Sequence, residues 1–288
     1  MATRHDPIVG RYVYVPYEAA EYRVFYEEAG GGIPLVCLHT AGTDSREYRH
    51  QLSDPDITSS FRVIALDLPR HGKSIPPPGF QNEEYRLTAK FYSEFIIAFC
   101  DALGLERPVI MGSSMGGNIC LHLALHHEEK VRALIAIEAC DYSPGWFIDW
   151  LYHPEVHGGE ACGTSVFGLM APQSPEEYRW ETWWYYAQGG PGIFRGDLYF
   201  YSVDHDFRQL AEKISGNVPM YLMTGVYDFA CTPEMTAETG KKLKGSETII
   251  MEEIGHFPMS ENPVTFKKYL MPVLEKIMSR ELQAQAGV

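Results

Sequence analysis

The string Val109-Ile110-Met111-Gly112-Ser113-Ser114-Met115-Gly116-Gly117-Asn118 places a serine in the pattern G-x-S-x-G, between an apolar run and a helical stretch. A serine in that context sits on a sharp strand-to-helix turn that presents its hydroxyl for nucleophilic attack, and only small residues fit two before and two after it. Gly112 and Gly116 supply them, and Gly117 relaxes the packing of helix on strand. A glycine-rich turn that merely starts a helix shows the same letters; the strand before and helix after favour a nucleophile. A serine hydroxyl is weakly nucleophilic at neutral pH, so the chemistry needs a general base in hydrogen-bond reach and a group that fixes the base's tautomer. It also needs N–H groups aimed at the developing oxyanion. The Met115 N–H is one candidate, at a helix start where the macrodipole favours negative charge.

The elements that must position these groups follow from hydrophobic periodicity. Residues 11–16 and 22–28 alternate β-branched and aromatic side chains, as an antiparallel pair at a sheet edge would. Residues 33–38, 62–66, 109–111, 133–137, 218–223 and 248–251 are short apolar runs, the signature of parallel strands covered on both faces. Between them, residues 44–51, 87–103, 114–127, 233–243 and 263–279 read as helices, the second with a core stripe of Phe91, Phe95, Phe99 and Leu103. Strand and helix alternate without internal repeats, which predicts an α/β fold with a doubly wound, mostly parallel sheet and right-handed crossovers.

Residues 141–205 break that rhythm. Turn signals at Ser143-Pro144-Gly145, Gly158-Gly159 and Gly189-Gly190-Pro191-Gly192 separate short helical pieces, and no buried strand is evident. All five tryptophans and 16 of the 37 aromatic residues fall in these 65 positions, marking an insertion with its own chemistry. Each such ring either packs the core of a small cap or lines an apolar pocket beneath it. The chain therefore divides into a core, residues 1–140 and 206–288, and a mainly helical, aromatic-rich cap, residues 141–205. Trp146, Trp150, Trp183 and Trp184 are the cap residues expected at the substrate.

Composition narrows the function classes. With 24 basic and 38 acidic side chains the formal charge is -14, a field that repels nucleic acid and anionic lipid surfaces. The six cysteines are far apart with no C-x-x-C pair, which reads as a reduced set and not a disulfide framework or zinc site. His122 and His126 are four apart on a helix but lack an H-E-x-x-H arrangement, and His153 and His157 are no stronger, so no metal is expected. No signal-like apolar start and no run of about 18 apolar residues appears, so the expected location is cytoplasmic and the expected partner a small-molecule substrate, with a homodimer left open.

Taken with the elbow around Ser114, the segments Leu38-His39-Thr40-Ala41-Gly42, Asp67-Leu68-Pro69-Arg70-His71-Gly72-Lys73-Ser74, 225–228 and Gly255-His256-Phe257 make the chain resemble a cap-containing α/β-hydrolase over nearly its whole length. The resemblance implies the chain order serine, acid, histidine, hence Ser114 as nucleophile and His256 as base. Asp228 fits as the acid, with Glu138 as its rival because some relatives carry the acid after that earlier strand. It also implies Ala41 as the second oxyanion donor beside Met115. Thr40 stands where the family usually has glycine, so its hydroxyl is an alternative donor near the substrate. His71 matches a structural feature of the family, and Arg46 or Arg49 either holds a substrate carboxylate or is a surface charge.

The implied activity is cofactor-free hydrolysis of a medium-sized apolar or aromatic ester, lactone or amide through an acyl-enzyme. Serine at the elbow in place of aspartate disfavours alkyl-halide and epoxide chemistry. Carbon-carbon bond hydrolases of vinylogous diketones share the Gly-x-Ser-Met-Gly-Gly and Asp-Leu-Pro-x-His-Gly-Lys-Ser segments, and receptors on this fold form a third class.

Overall fold

The N-terminal alternation builds an antiparallel pair, β1 (Val9–Tyr17) and β2 (Ala20–Gly30), in which Tyr12 stands opposite Phe25 with the rings edge to face at 5.2 Å. The structure, a computed structural model, describes residues 3–152, 156 and 158–286. The apolar runs become β3 (Ile33–Leu38), β4 (Phe61–Leu66), β5 (Val109–Ser113), β6 (Ala133–Ile137), β7 (Met220–Gly225) and β8 (Glu247–Met251). They form one sheet in the order β1-β2-β4-β3-β5-β6-β7-β8, parallel from β4 onwards, with β2 antiparallel to β4. This is the doubly wound α/β sheet that the alternation of strand and helix predicts.

The strand order turns back at β3, which lies between β4 and β5, and a crevice opens at the carboxyl ends of strands at such a reversal. Loop 39–44 leaves β3 there, and Ser114 leaves β5 beside it.

Residues 44–51, read as one helix, form a 3₁₀ turn (Ser45–Tyr48) and then a single turn, α1 (Arg49–Leu52), followed by another, α2 (Pro55–Thr58). The Asp44 side chain caps the first turn by accepting the Arg46 N–H. The longer helices are α3 (Ala89–Ala102) and α4 (Met115–His126). On α3, Phe95 and Phe99 are fully buried and Phe91 stacks on Phe95 at 5.1 Å, so the four-residue stripe faces the sheet. Truncating either buried ring to alanine would cost about 3–5 kcal/mol.

Between β6 and β7 the described residues are helical, with α5 (Gly158–Phe167), α6 (Glu176–Ala187) and α7 (Ile193–Tyr199), then a π-helical turn (Phe200–Asp204). This is the stretch the sequence reads as the inserted cap. Its two ends are tied together: the Phe207 N–H donates to Asp141 O at 2.7 Å, and His205 Nε2 to Cys140 O at 2.8 Å. His205 Nδ1 therefore accepts from His122 Nε2 of α4, at 3.1 Å, and buried His122 is a clamp on the cap while His126 is exposed. The core closes with α8 (Pro233–Lys242), α9 (Pro258–Glu261) and α10 (Pro263–Ala286), the last running beyond the helix the sequence predicts. All six cysteines are buried free thiols, and no helix among the described residues is long and apolar enough to cross a membrane.

Candidate active site

Ser114 has φ 57° and ψ −118°, a conformation that L-residues rarely adopt and that the elbow imposes. The neighbouring glycines are dictated by backbone contact. A Cβ on Gly112 would lie 2.1 Å from Gly116 O, one on Gly116 2.5 Å from Leu38 O, and one on Gly117 2.2 Å from Ile137 O. The turn is fixed on both sides, because the Ser114 N–H donates to Ile137 O and Ser114 O accepts from Asn118 N–H.

The strands after β5 deliver the remaining groups in order: Glu138 follows β6, Asp228 follows β7 and His256 follows β8. His256 Nδ1 donates to Asp228 Oδ2 at 2.8 Å, both side chains being buried. Asp228 Oδ1 accepts the N–H groups of Ala230 and Cys231. Burial pushes the Asp228 carboxyl up, but the imidazole of His256, the Glu138 carboxyl and the Cys231 N–H outweigh it and hold Asp228 below the usual carboxylate range. Asp228, not Glu138, is the imidazole's hydrogen-bond partner.

Ser114 and His256 line one cavity of about 220 Å³ but share no hydrogen bond. General-base contacts of this kind are commonly long until substrate binds.

Loop 39–44 is held by two acids that the sequence reading did not single out. Glu47 accepts both the N–H and the hydroxyl hydrogen of Thr40, at 2.9 and 2.7 Å, and Asp197 of α7 accepts the N–H of Gly42 at 2.7 Å. Among the described residues the Ala41 N–H, between them, meets no acceptor, and Met115 is the first residue of α4, whose N–H has no intrahelical partner. Thr40 is thereby corrected as an oxyanion or substrate contact: both its hydrogens are committed to Glu47, its oxygen meets Tyr186 Oη, and it does not line the cavity.

The cap covers the cavity with Trp146, Trp150, Val166, Tyr186 and Leu198, joined by Phe229 and Ala230 beside Asp228. Two of the four expected tryptophans are there and two are not. Trp183 packs on Gly163 of α5 and Trp184 points to solvent at 55% exposure, because α6 turns only Tyr186 of its aromatic residues toward the cavity. Arg46 is taken by Asp44 and Gln188, Arg49 by Glu181, and neither lines the cavity. His71 is buried against Asp197, its Nε2 at 2.8 Å from Oδ2. His153 and His157 lie outside the described residues.

The histidine loop has its own anchor. Glu261 Oε1 accepts from Gly255 N–H, Ala171 N–H and the Ser174 hydroxyl, while the His256 N–H donates to Leu169 O in the cap. A Cβ on Gly255 would lie 2.4 Å from Leu169 O, so glycine is what lets loop and cap meet. Burial raises Glu261 to about 7 and Glu47 to about 8. No local pattern flags Glu47, Asp197 or Glu261 in the sequence. The only available signal is an acid inside an otherwise apolar stretch, and burial cannot be read from that.

Residues 33–157 match the family model described as alpha/beta hydrolase fold. With this site on this sheet, the chain has the α/β-hydrolase fold. A 2-hydroxymuconate semialdehyde hydrolase of Pseudomonas sp. (strain CF600) is 30% identical over 158 residues, 53% of this chain and 53% of that protein, so the chain spans about half the length of this curated relative. Among solved structures, an esterase from Thermogutta terrifontis superposes with a TM-score of 0.80 at 18% identity, covering 93% of this chain and 99% of the other. The enol-lactonase of Burkholderia xenovorans LB400 gives 0.75 at 20% identity, covering 88% and 97%. These two likenesses concern the fold.

Proposed function

We propose that the protein is a serine hydrolase that cleaves an uncharged, apolar or aromatic carboxylic ester or lactone. The observation that carries this reading is that Ser114, on a strained elbow, shares a cavity with His256, whose Nδ1 is held by Asp228. Ser114 Oγ attacks the carbonyl carbon while His256 Nε2 takes its proton, and Asp228 stabilises the resulting imidazolium. The N–H groups of Met115 and Ala41 receive the oxyanion; a donor of this kind is worth about 2.7–4 kcal/mol. His256 then protonates the leaving alkoxide, activates water against the acyl-enzyme and returns the proton to Ser114. No cofactor enters this cycle.

The ester reading rests on the cavity wall. Apart from His256, the described residues of the wall include no titratable side chain other than tyrosine, and the guanidiniums of Arg46 and Arg49 are paired elsewhere. A substrate carboxylate, as a muconate semialdehyde carries, would meet no lysine or arginine among the described wall residues, and an unpaired buried charge costs several kcal/mol.

Cleavage of a carbon-carbon bond in a vinylogous diketone is the second reading, favoured by the relationship to the Pseudomonas hydrolase. A screen of p-nitrophenyl esters, lactones and ring-cleavage diketones against wild type and Ser114→Ala separates them. Ester or lactone turnover lost in Ser114→Ala supports the proposal, and turnover of diketones alone replaces it. A Ser114 that a fluorophosphonate does not label, in a protein that ligands still stabilise, makes it a receptor.

A further inference from the structure

The mechanism leaves one buried carboxyl without a task. Glu138 is wholly buried, has φ 48°, and is bound to β7 twice: its N–H donates to Met223 O at 2.8 Å, and its carboxyl accepts the Gly225 N–H at 3.0 and 3.2 Å. An oxygen of Glu138, an oxygen of Asp228 and a ring nitrogen of His256 lie within 4.8 Å of one another. The groups facing Glu138 are therefore Asp228 after β7, His256 after β8, and Glu261 of α9, whose charge also bears on it.

Two carboxyls in one dry pocket do not both ionise; they share a proton. The geometry decides which keeps it. Asp228 accepts two backbone N–H groups and the imidazole, whereas Glu138 accepts one N–H and lies within 4.8 Å of the Asp228 carboxylate. Burial and the Asp228 charge both push the Glu138 carboxyl well above its usual range. The charge belongs to Asp228 and the proton to Glu138.

We propose that Glu138 is a positioning residue of the triad: a carboxylic acid that donates its proton to Asp228, and the carboxylate that takes over as partner of His256 when Asp228 is removed. This rests on the serine-hydrolase reading. Donation from Glu138 draws charge away from Asp228 and so weakens its hold on the imidazolium. With asparagine at 228 the repulsion that kept Glu138 protonated is gone, the asparagine amide donates to it, and it ionises beside the ring.

The test measures kcat/KM against pH with a p-nitrophenyl ester for wild type, Glu138→Gln, Glu138→Ala, Asp228→Asn and the Asp228→Asn/Glu138→Gln pair. Glutamine mimics the neutral acid, its amide N–H donating to Asp228 and its carbonyl accepting from Gly225. It should lower kcat/KM less than tenfold and leave the acid limb in place, while Glu138→Ala moves that limb to higher pH. In the Asp228→Asn background, Glu138→Gln should remove at least a further tenfold beyond its effect in wild type.

An equal factor in both backgrounds makes Glu138 only an anchor for Gly225 and overturns the proposal. A loss above a hundredfold in Glu138→Gln, with Asp228→Asn active and both variants folded by near-UV circular dichroism, overturns it differently by making Glu138 the triad acid. Failure of the underlying reading looks unlike either, since Ser114→Ala would then keep wild-type turnover.

Discussion

The carboxylate of Asp197, carried on a cap helix, accepts the backbone N–H of Gly42 in the loop after β3 at 2.7 Å. The same oxygen takes His71 Nε2 at 2.8 Å and the other takes the Tyr85 hydroxyl, so cap and core are joined through one buried charge next to Ala41. Asp197→Asn reverses a donor–acceptor match at a fully buried site, and breaking such a pair costs roughly 3–5 kcal/mol. Thermal denaturation should show that loss, and kcat should fall more than KM rises because the Ala41 N–H is no longer held in place. A kcat equal to wild type in the folded variant would separate Asp197 from the oxyanion loop.

Gly112→Ala should be far more damaging than Gly31→Ala. The first Cβ would lie 2.1 Å from a backbone oxygen that cannot move without reshaping the elbow, while the second meets nothing within 4 Å. Overpacking of this sort costs about 1–3 kcal/mol or more, and here it also displaces Ser114. The check is melting temperature together with fluorophosphonate labelling. Labelling of Gly112→Ala at the wild-type rate would show that the turn tolerates a methyl group.

Buried groups make stability depend on pH in two opposing ways. Burial holds His39 and His205 neutral down to about 4 and His122 to about 2. In the unfolded chain histidine binds a proton near pH ~6.5, so these three cost stability as pH falls below that value. Glu47 and Glu261 instead keep their protons to about 8 and about 7, while unfolded glutamate releases its own near pH ~4.3, so their contribution declines as pH rises through that window. His71 adds to the decline: burial works against its charge, but Asp197 raises its pKa, and that stabilisation is lost as pH rises through the folded value. Below about pH 6.5 the two sets oppose each other, and above it only the second acts. Tm should therefore fall between about pH 6.5 and 8.5, each such proton contributing ~1.4 kcal/mol per pH unit, and Glu47→Gln should flatten the slope. A Tm that rises over this range would mean that these glutamates are charged in the folded protein.

Val166→Phe should shorten the accepted acyl chain. Val166 is buried in the wall of a cavity of only about 220 Å³, and each methylene in such a pocket is worth about 1–3 kcal/mol. The ratio of kcat/KM for p-nitrophenyl octanoate to that for the acetate should drop at least tenfold. An unchanged ratio would place the acyl group elsewhere.

Much of this molecule is written locally. Gly112, Ser114 and Gly116 announce the elbow because the steric demands of the turn act between adjacent residues, and unbroken apolar runs announce buried strands because both faces of each strand need covering. Chain order then suggested which loops would meet, since β5 to β8 lie side by side in the sheet. What the sequence left open depended on partners far away along the chain. The residues leave Asp228 and Glu138 both open as the acid, and only packing shows that one bonds the imidazole while the other lies within 4.8 Å of it. Thr40 promised a free hydroxyl until folding brought Glu47 and Tyr186 to it, and the tryptophans of α6 promised a pocket wall until the helix turned them away. Residue type and spacing determined the chemistry the chain is equipped for. Protonation, orientation and access were decided by tertiary structure, because each is set by the dielectric and hydrogen-bond partners that distant segments bring together.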